Sequence, residues 1–207
     1  MSEGRASTPL AAVGALHGRA VFSRRVRVLA ERLAPLLPAG RVLDVGCGDG
    51  NVAKALLALR PDLAVEGYDV LERPRARVPV TRFDGRHLPV AGDSAAASLL
   101  VDVLHHAGDP VALLAECARA APVVVVKDHL MRSWLDERVL AFMDWVGNAP
   151  HGVVLPYRYF SPASWTETVA RAGLTETARD DVPGLYPFPF SLAFGRGLHF
   201  TARLERG

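Results

Sequence analysis

The sequence has little cysteine, no long hydrophobic run and almost no net charge, and each of these excludes a class of function. The two cysteines form neither a disulfide framework nor the spacing of a zinc site. No window reaches the roughly 18 consecutive apolar residues of a transmembrane helix. A net charge of +2 is too small to indicate binding to nucleic acid or to a membrane surface. The N-terminus shows no charged-then-apolar signal pattern, so we expect a cytoplasmic protein.

What is present is the composition of an ordinary globular domain. Of the 207 residues, 50% are hydrophobic and 22% are charged, which is typical of a soluble protein. A chain of this length can bury a sizeable core as one domain.

The most informative stretch is an apolar run that leads into three glycines, within residues 41–51 (RVLDVGCGDGN). Val42, Leu43 and Val45 predict a strand, and a helical pattern follows at residues 52–59. Strand, glycine turn and helix place a ligand over the free N–H groups at a helix N-terminus. The helix dipole there favours a carboxylate or a phosphate.

Two details of this turn narrow the choice of ligand. A dinucleotide fingerprint needs a glycine at the sixth position counted from Gly46, and that position holds Asn51. Asp44, just before the first glycine, would repel a pyrophosphate but attract an amine. A ligand with both an ammonium and a carboxylate satisfies both features. The alternative is a glycine turn without a ligand, which would leave Asp44 an unexplained acid in an apolar strand.

Residues 42–50 (VLDVGCGDG) resemble motif I of the class I S-adenosylmethionine-dependent methyltransferases, and weaker matches continue to about residue 130. The resemblance implies an α/β fold: a Rossmann-like, doubly wound, mostly parallel seven-stranded sheet with an antiparallel last strand and an N-terminal helical cap. It implies one methyltransferase domain over residues 1–207. The cap spans residues 1–38, and the core spans 39–207 with a substrate-pocket insertion at 130–160. S-Adenosyl-L-methionine is the implied cofactor, and no metal is required.

The cofactor-binding positions follow from the turn and from the ends of the next strands. Asp69 closes a predicted strand at 63–69, where an acid is suited to bind both ribose hydroxyls. Asp84 follows a predicted strand at 78–83 and matches the family's acid for the adenine amino group. A surface acid and a simple Asp-Gly turn are the alternatives at these two positions. Residues 71–77 are too short and too proline-broken for a full crossover helix. The complete predicted set is Asp44, Gly46, Cys47, Gly48, Asp69, Val70, Asp84, Gly85 and Asp102.

Three histidines are candidates for a general base. An apolar run at 97–104 predicts a buried strand that ends in His105 and His106, and a second run at 122–126 leads into residues 127–129, which end in His129. Ligands in open α/β sheets bind outside the carboxyl ends of the strands. Since successive strand residues face opposite ways, only one histidine of the pair should reach the cleft. We rank His106 first, then His105 or His129. The alternative is a structural pair, because a similar Leu-His-His occurs in the ubiquinone-type branch of the family.

The predicted acceptor-binding residues lie mainly in the second half of the chain. A predicted helix over 131–146 is followed by a long loop at 148–160 that is rich in aromatic residues and histidine. In the family this region commonly builds the substrate pocket, and N-terminal helices often cover the cleft. A solvated helix residue at position 17 and a structural wrap of aromatic residues are the alternatives. The predicted set is His17, Asp128, Asp144, Asn148, His151 and Tyr157.

These features predict a small-molecule methyltransferase that acts on an oxygen or carbon atom, less readily on nitrogen. The Asn-Pro-Pro-Tyr signature of many nucleic-acid amino methyltransferases is absent after the fourth strand. We therefore expect a small-molecule acceptor, no nucleic acid and no membrane as partners, with the oligomeric state open. The alternatives are a non-catalytic cofactor- or partner-binding protein on the same fold and a nicotinamide-dependent oxidoreductase.

Overall fold

The computed structural model describes residues 9–73, 75–148, 157–195 and 197–207, with side chains from residue 21 onwards except those of 144 and 146–148. Six α-helices are found in the described residues: α1 Pro9–Leu33, α2 Asn51–Leu59, α3 Pro110–Ala120, α4 Trp134–Asn148, α5 Pro162–Arg171 and α6 Phe190–Phe194. The strands are β1 Gly40–Val45, β2 Leu63–Asp69, β3 Val80–Arg82, β4 Ala97–Val101, β5 Val123–His129, β6 Leu174–Asp181 and β7 His199–Arg206. No described helix is long and apolar enough to cross a membrane.

The seven strands form one sheet in the order β3-β2-β1-β4-β5-β7-β6. The pairs from β3 to β5 are parallel, whereas β7 runs antiparallel to both β5 and β6. The strand order reverses between β1 and β4, and α/β sheets bind ligands at such a switch point, outside the carboxyl ends of the strands. The predicted Rossmann-like sheet with an antiparallel last strand is confirmed.

Each face of the sheet is covered by its own helices. On one face, Val124 and Val126 of β5 pack with residues of α3 and α5. On the other face, Val125 packs with α2 and with Leu29 and Leu33 of α1. Parallel strands that are covered on both faces read as continuous apolar runs, and β5 has this pattern. The second half of α1 is therefore part of the core.

The helix starts follow the local capping signals. Asp109 caps α3 by accepting from the amide of Ala112 at 3.0 Å, and a proline follows at the first helical position. Ser161 and Ser164 form a reciprocal capping box at the start of α5. No helix is described between β2 and β3, in agreement with the truncated crossover expected from the proline-broken sequence.

Two strand ends differ from the sequence-based expectation. The strand β4 ends at Val101 rather than at residue 104, because Asp102 adopts a left-handed φ of +57°. A 3-10 turn, Leu104–His106, then carries the histidine pair. The strand β5 continues through His129, since β7 pairs with it along its whole length. The polar residues at its end are therefore strand residues with fixed faces.

Leu130, which follows β5, and Phe160, which precedes α5, are neighbours in the structure. Leu130 forms an isolated parallel bridge with Phe160, and the amide of Met131 donates to the carbonyl of Phe160 at 2.8 Å. The helix α4 lies between these two residues in the chain.

Candidate active site

The turn after β1 is left-handed at all three glycines. Gly46, Gly48 and Gly50 have φ values of +73°, +54° and +68°, a region that side chains with a Cβ rarely adopt. The Gly46 amide donates to the carbonyl of Tyr68 on β2 at 2.7 Å and holds the turn against the neighbouring strand. A Cβ on Gly48 would meet nothing within 4 Å. The middle of the turn therefore faces space that a ligand can fill.

Two buried carboxyl groups lie at the carboxyl ends of β1 and β2. Burial, and then the neighbouring Asp69, raise the pKa of Asp44 to about 7. Asp69 accepts from the amides of Gly48 at 2.9 Å and Leu71 at 2.8 Å, and Arg73 Nη2 lies 3.4 Å from its Oδ2. An ammonium beside Asp44 would favour its ionised form. Together with the open turn, these residues fit the charged methionine end of S-adenosylmethionine.

The end of β3 places Asp84 on the surface. Its carboxylate accepts from the amides of Arg86 and His87 at 2.7 Å each and lies 3.0 Å from the His87 ring Nδ1. The hydrogen bond from the His87 amide, and then the one from the His87 ring, lower the pKa of Asp84 well below its usual range. Val70 and Gly85 approach each other here, because a Cβ on Gly85 would lie 3.1 Å from Val70 Cγ1. Two strands, β2 and β1, separate Asp84 after β3 from the histidines that follow β4.

The loop after β4 forms a wall of the glycine turn. A Cβ on Gly46 would lie 2.5 Å from Val103 Cγ2, so the missing side chain allows the two segments to touch. Val103 is followed directly by the 3-10 turn that carries His105 and His106. Val103 therefore connects the predicted cofactor turn to the turn that carries the candidate bases.

His105 and Asp128 form a buried pair. His105 is 2% exposed and Asp128 is fully buried, and His105 Nδ1 lies 2.6 Å from Asp128 Oδ1. Asp128 also accepts from the amides of Leu104 at 3.1 Å and His129 at 2.7 Å. Burial opposes ionisation of Asp128, but the two histidines outweigh it and keep its pKa below the usual range. Asp128, predicted to contact substrate, is placed to orient His105.

A second polar group lies on the opposite face of β5. Asp102 binds Lys127 Nζ and Arg25 of α1, and His129 Nδ1 lies 3.7 Å from its Oδ1. The Lys127 ammonium also lies 3.2 Å from Nδ1 of His199 on β7. Burial opposes ionisation of Asp102, but Lys127 and Arg25 outweigh it and hold its pKa well below the usual range. Asp102, which was predicted to bind the cofactor, is thus paired with two cationic side chains, Lys127 and Arg25.

His105, Asp128 and His129 also have residue types that bind metals, and their ligand atoms lie within 4.8 Å of one another. In this arrangement His105 Nδ1 is engaged with Asp128. The positive charge of Lys127 acts on His129, which opposes a second cation there. Both effects act against a metal ion in this donor set.

Burial and the charge of Lys127 lower the pKa of His129 to about 4, from an ordinary value of 6.5. Between these pH values the unfolded chain binds a proton at His129 that the folded chain does not. This contribution to stability is complete above pH 6.5 and is lost as the pH falls towards 4.

We therefore expect the free energy of unfolding of the wild type, relative to a His129→Gln variant, to fall by ~2–3 kcal/mol between pH 7 and pH 4.5. Urea denaturation of both proteins at several pH values measures this difference. The comparison cancels the titration of the groups that are remote from His129. A difference that stays constant with pH would contradict a neutral His129.

Several predicted acceptor-binding residues lie outside the described part of the structure. This holds for the side chains of His17, Asp144 and Asn148 and for the whole of His151. Tyr157 is described, with a φ of +51° and 42% exposure. The structure thus brings together His105, His106, His129, Asp102 and Asp128. It does not describe the side chains of the predicted acceptor set at positions 144–151.

Sequence reasoning did not assign roles to Arg25, Lys127 and His199. Lys127 is fully buried at the end of an apolar strand, and a lysine in such a position is a signal that could have been used. Arg25 lies within a helix that is rich in arginine, and His199 follows a proline- and glycine-rich stretch. Neither of these has a local pattern that indicates a site.

Comparisons with known proteins identify the family of this chain. The sequence pattern of the methyltransferase domain family matches residues 17–178. The ubiquinone biosynthesis O-methyltransferase of Hahella chejuensis is 31% identical over 112 residues, which cover 47% of this chain and 44% of that protein. A trans-aconitate 2-methyltransferase of Methylobacterium nodulans is 39% identical over 66 residues, which cover 29% and 26%. The matches span less than half the length of these curated relatives.

Solved structures share the fold over most of the chain. An S-adenosylmethionine-dependent methyltransferase of Thermotoga maritima has a TM-score of 0.68 at 21% identity, covering 92% of this chain and 95% of that one. The likeness at this identity shows the fold, and the matched family pattern shows the membership. The chain therefore belongs to the methyltransferase domain family, the class I S-adenosylmethionine-dependent enzymes.

Proposed function

We propose that the protein transfers a methyl group from S-adenosylmethionine to an oxygen or carbon, less readily a nitrogen, of a small-molecule acceptor. One observation carries this proposal: the open glycine turn packs on Val103, and the chain then continues directly to His105 and its partner Asp128. A donor pocket and a candidate base therefore share one wall.

The cofactor would be held at the carboxyl ends of β1 and β2. Asp44 would face the ammonium, and the amides of the turn around Gly48 would face the carboxylate. Asp69, whose two carboxylate oxygens each accept a hydrogen bond from a backbone amide, would bind the ribose hydroxyls. When bound, the cofactor supplies an electrophilic methyl group on a sulfonium. The protein's task is then to orient the acceptor in line with that methyl and to exclude water.

His105 is the strongest candidate for a base. The Asp128 carboxylate beside Nδ1 favours a proton on that atom. The Nε2 atom, which is buried in this structure, would then be the one that takes a proton from the acceptor. Asp128 would orient the ring and stabilise the charged form, in the manner of the carboxylate in a catalytic triad. His106, which sequence reasoning ranked first, is half-buried on the same turn. It would line the cleft and guide the acceptor.

The segment 130–160 would form the acceptor side of the site, as the family resemblance implies. Phe142 and Trp145 of α4 are 53% and 56% exposed. The Phe142 ring stacks on Phe194 of α6 at 6.4 Å, and Tyr186 packs between Phe194 and His199. Exposed aromatic surface of this kind is typical of a binding site. It supports an acceptor with an apolar body.

The direct test is formation of S-adenosylhomocysteine from S-adenosylmethionine in the presence of a panel of small phenols, enols, carboxylic acids and amines. We expect turnover with at least one oxygen or carbon acceptor. Calorimetry with S-adenosylhomocysteine provides the binding control. Binding without turnover of any acceptor would favour the alternative, a non-catalytic cofactor-binding protein. Stabilisation by NAD and none by S-adenosylhomocysteine would contradict both.

A further inference from the structure

Lys127 is a charged side chain with no exposure to solvent. Its ammonium binds the Asp102 carboxylate and lies 3.2 Å from His199 Nδ1. Removing an ammonium from water is costly even when it is paired, and an apolar side chain of similar volume is often as stable or more stable. Stability alone is therefore a poor explanation for a lysine at this position.

The partner of Lys127 is itself in an unusual conformation. Asp102 has a φ of +57°, a left-handed backbone that is uncommon outside glycine, although aspartate adopts it more often than most residues. The surroundings hold this conformation at three points. The Asp102 amide donates to the Lys127 carbonyl at 2.9 Å, and its carboxylate binds both the Lys127 ammonium and Arg25 of α1.

The conformation of Asp102 determines where the following residues lie. Val103 packs against the glycine turn at Gly46, where a Cβ would clash. The amide of Leu104 then donates to Asp128, the partner of His105. A shift of the Asp102 turn would therefore move the wall of the cofactor pocket and the candidate base together.

We propose that Lys127 is a positioning residue for cofactor binding, acting through Asp102 on the Val103–Gly46 contact. The inference rests on the proposed function, since the glycine turn is taken as the cofactor site. The polar side-chain contacts of Lys127 are with Asp102 and His199. Its ammonium stabilises the Asp102 turn by binding the carboxylate. Arg25 of α1 provides a second, weaker ion pair to the same carboxylate.

The test compares Lys127→Met with Val125→Ala, using S-adenosylhomocysteine as the probe. Val125 is also fully buried, on the same strand and the same face of the sheet. Its truncation should lower stability without disturbing Asp102. At a temperature where all proteins are folded, calorimetry should show at least tenfold weaker binding for Lys127→Met and a change of less than twofold for Val125→Ala. Equal affinities in the two variants would overturn the proposal.

A second pair of variants keeps the test decisive if Lys127→Met does not fold. Arg25→Met removes the half-buried cation from Asp102, whereas Arg24→Met removes a neighbouring arginine that binds the carbonyl of Gly184. We expect about threefold weaker binding for Arg25→Met and no change for Arg24→Met. Unchanged binding in Arg25→Met, with Lys127→Met also unchanged or unfolded, would contradict the role of the Asp102 turn.

The path through Asp102 is tested by a double-mutant cycle. If Lys127 acts through Asp102, then Lys127→Met should weaken binding by less than twofold in a protein that already carries Asp102→Asn. An undiminished tenfold effect in that background would show that Lys127 acts by another route. Absence of binding in the wild type would instead contradict the proposed function, so the two failures are distinguishable.

Discussion

Replacement of Asp44 by asparagine should abolish measurable binding of S-adenosylhomocysteine and, at pH 8, stabilise the ligand-free protein. Burial and the neighbouring Asp69 raise the pKa of Asp44 to about 7, from an ordinary value of 3.8. An ionised Asp44 is thus unfavourable in the empty site and becomes favourable when the ligand's ammonium arrives. Asparagine removes both effects. We expect at least a hundredfold loss of affinity by calorimetry.

The sign of the stability change follows from proton linkage. Since the folded-state pKa of Asp44 is raised, the folded protein binds more protons than the unfolded chain between pH 4 and pH 7. The contribution of Asp44 to stability is present below this window and is lost as the pH rises through it. The gain for Asp44→Asn should therefore grow from near zero at pH 4 to at most ~4 kcal/mol at pH 8. Thermal melts at several pH values measure it, at ~2–4 °C per kcal/mol.

A matched control is available on the neighbouring strand. Glu66 on β2 forms a half-exposed ion pair with Arg41, so Glu66→Gln makes the same chemical change outside the site. It should leave the affinity for S-adenosylhomocysteine unchanged. In the wild type, the affinity should rise between pH 6 and pH 8 as Asp44 ionises. Full affinity in Asp44→Asn would remove the electrostatic basis of the proposed cofactor site.

Replacement of Asp128 by asparagine should lower kcat by ~10²–10³ with a hydroxyl acceptor and leave the affinity for S-adenosylhomocysteine within threefold. The loss is that of a general base, which contributes about 10²–10⁴ in rate. An asparagine amide can donate to His105 Nδ1, which would place the proton on Nε2, the wrong atom for a base. The measurement is steady-state turnover with the acceptor identified from the panel, together with calorimetry on the same sample.

Two histidine variants separate the candidate bases. His105→Gln should reproduce the loss in kcat, whereas His106→Gln should act mainly on the KM of the acceptor. His129 should not titrate in the pH–rate profile between pH 5 and pH 9, because its pKa lies near 4. A larger loss of kcat in His106→Gln than in His105→Gln would indicate that His106 is the general base. A kcat equal to that of the wild type in all these variants would indicate an acceptor that loses its proton without a general base.

The parts of this protein that its sequence alone determined are those whose signals are local. The run that ends in Gly46, Gly48 and Gly50 predicted strand, turn and helix, because left-handed turns and helix starts depend on the residues at those positions. The caps of α3 and α5 and the loss of the second crossover helix followed in the same way. The acid Asp44 indicated the kind of ligand, since a buried carboxyl needs a partner.

Only the tertiary structure decided which polar residues meet at the carboxyl ends of the strands. Sequence reasoning placed His105 at a strand end, but β4 ends earlier, at Val101, and the following turn aims the histidine at Asp128. Lys127 and His199 are 72 residues apart, and their contact depends on the antiparallel pairing of β5 with β7. Strand pairing brings distant residues to one edge of the sheet, and no local pattern records which of them will meet there.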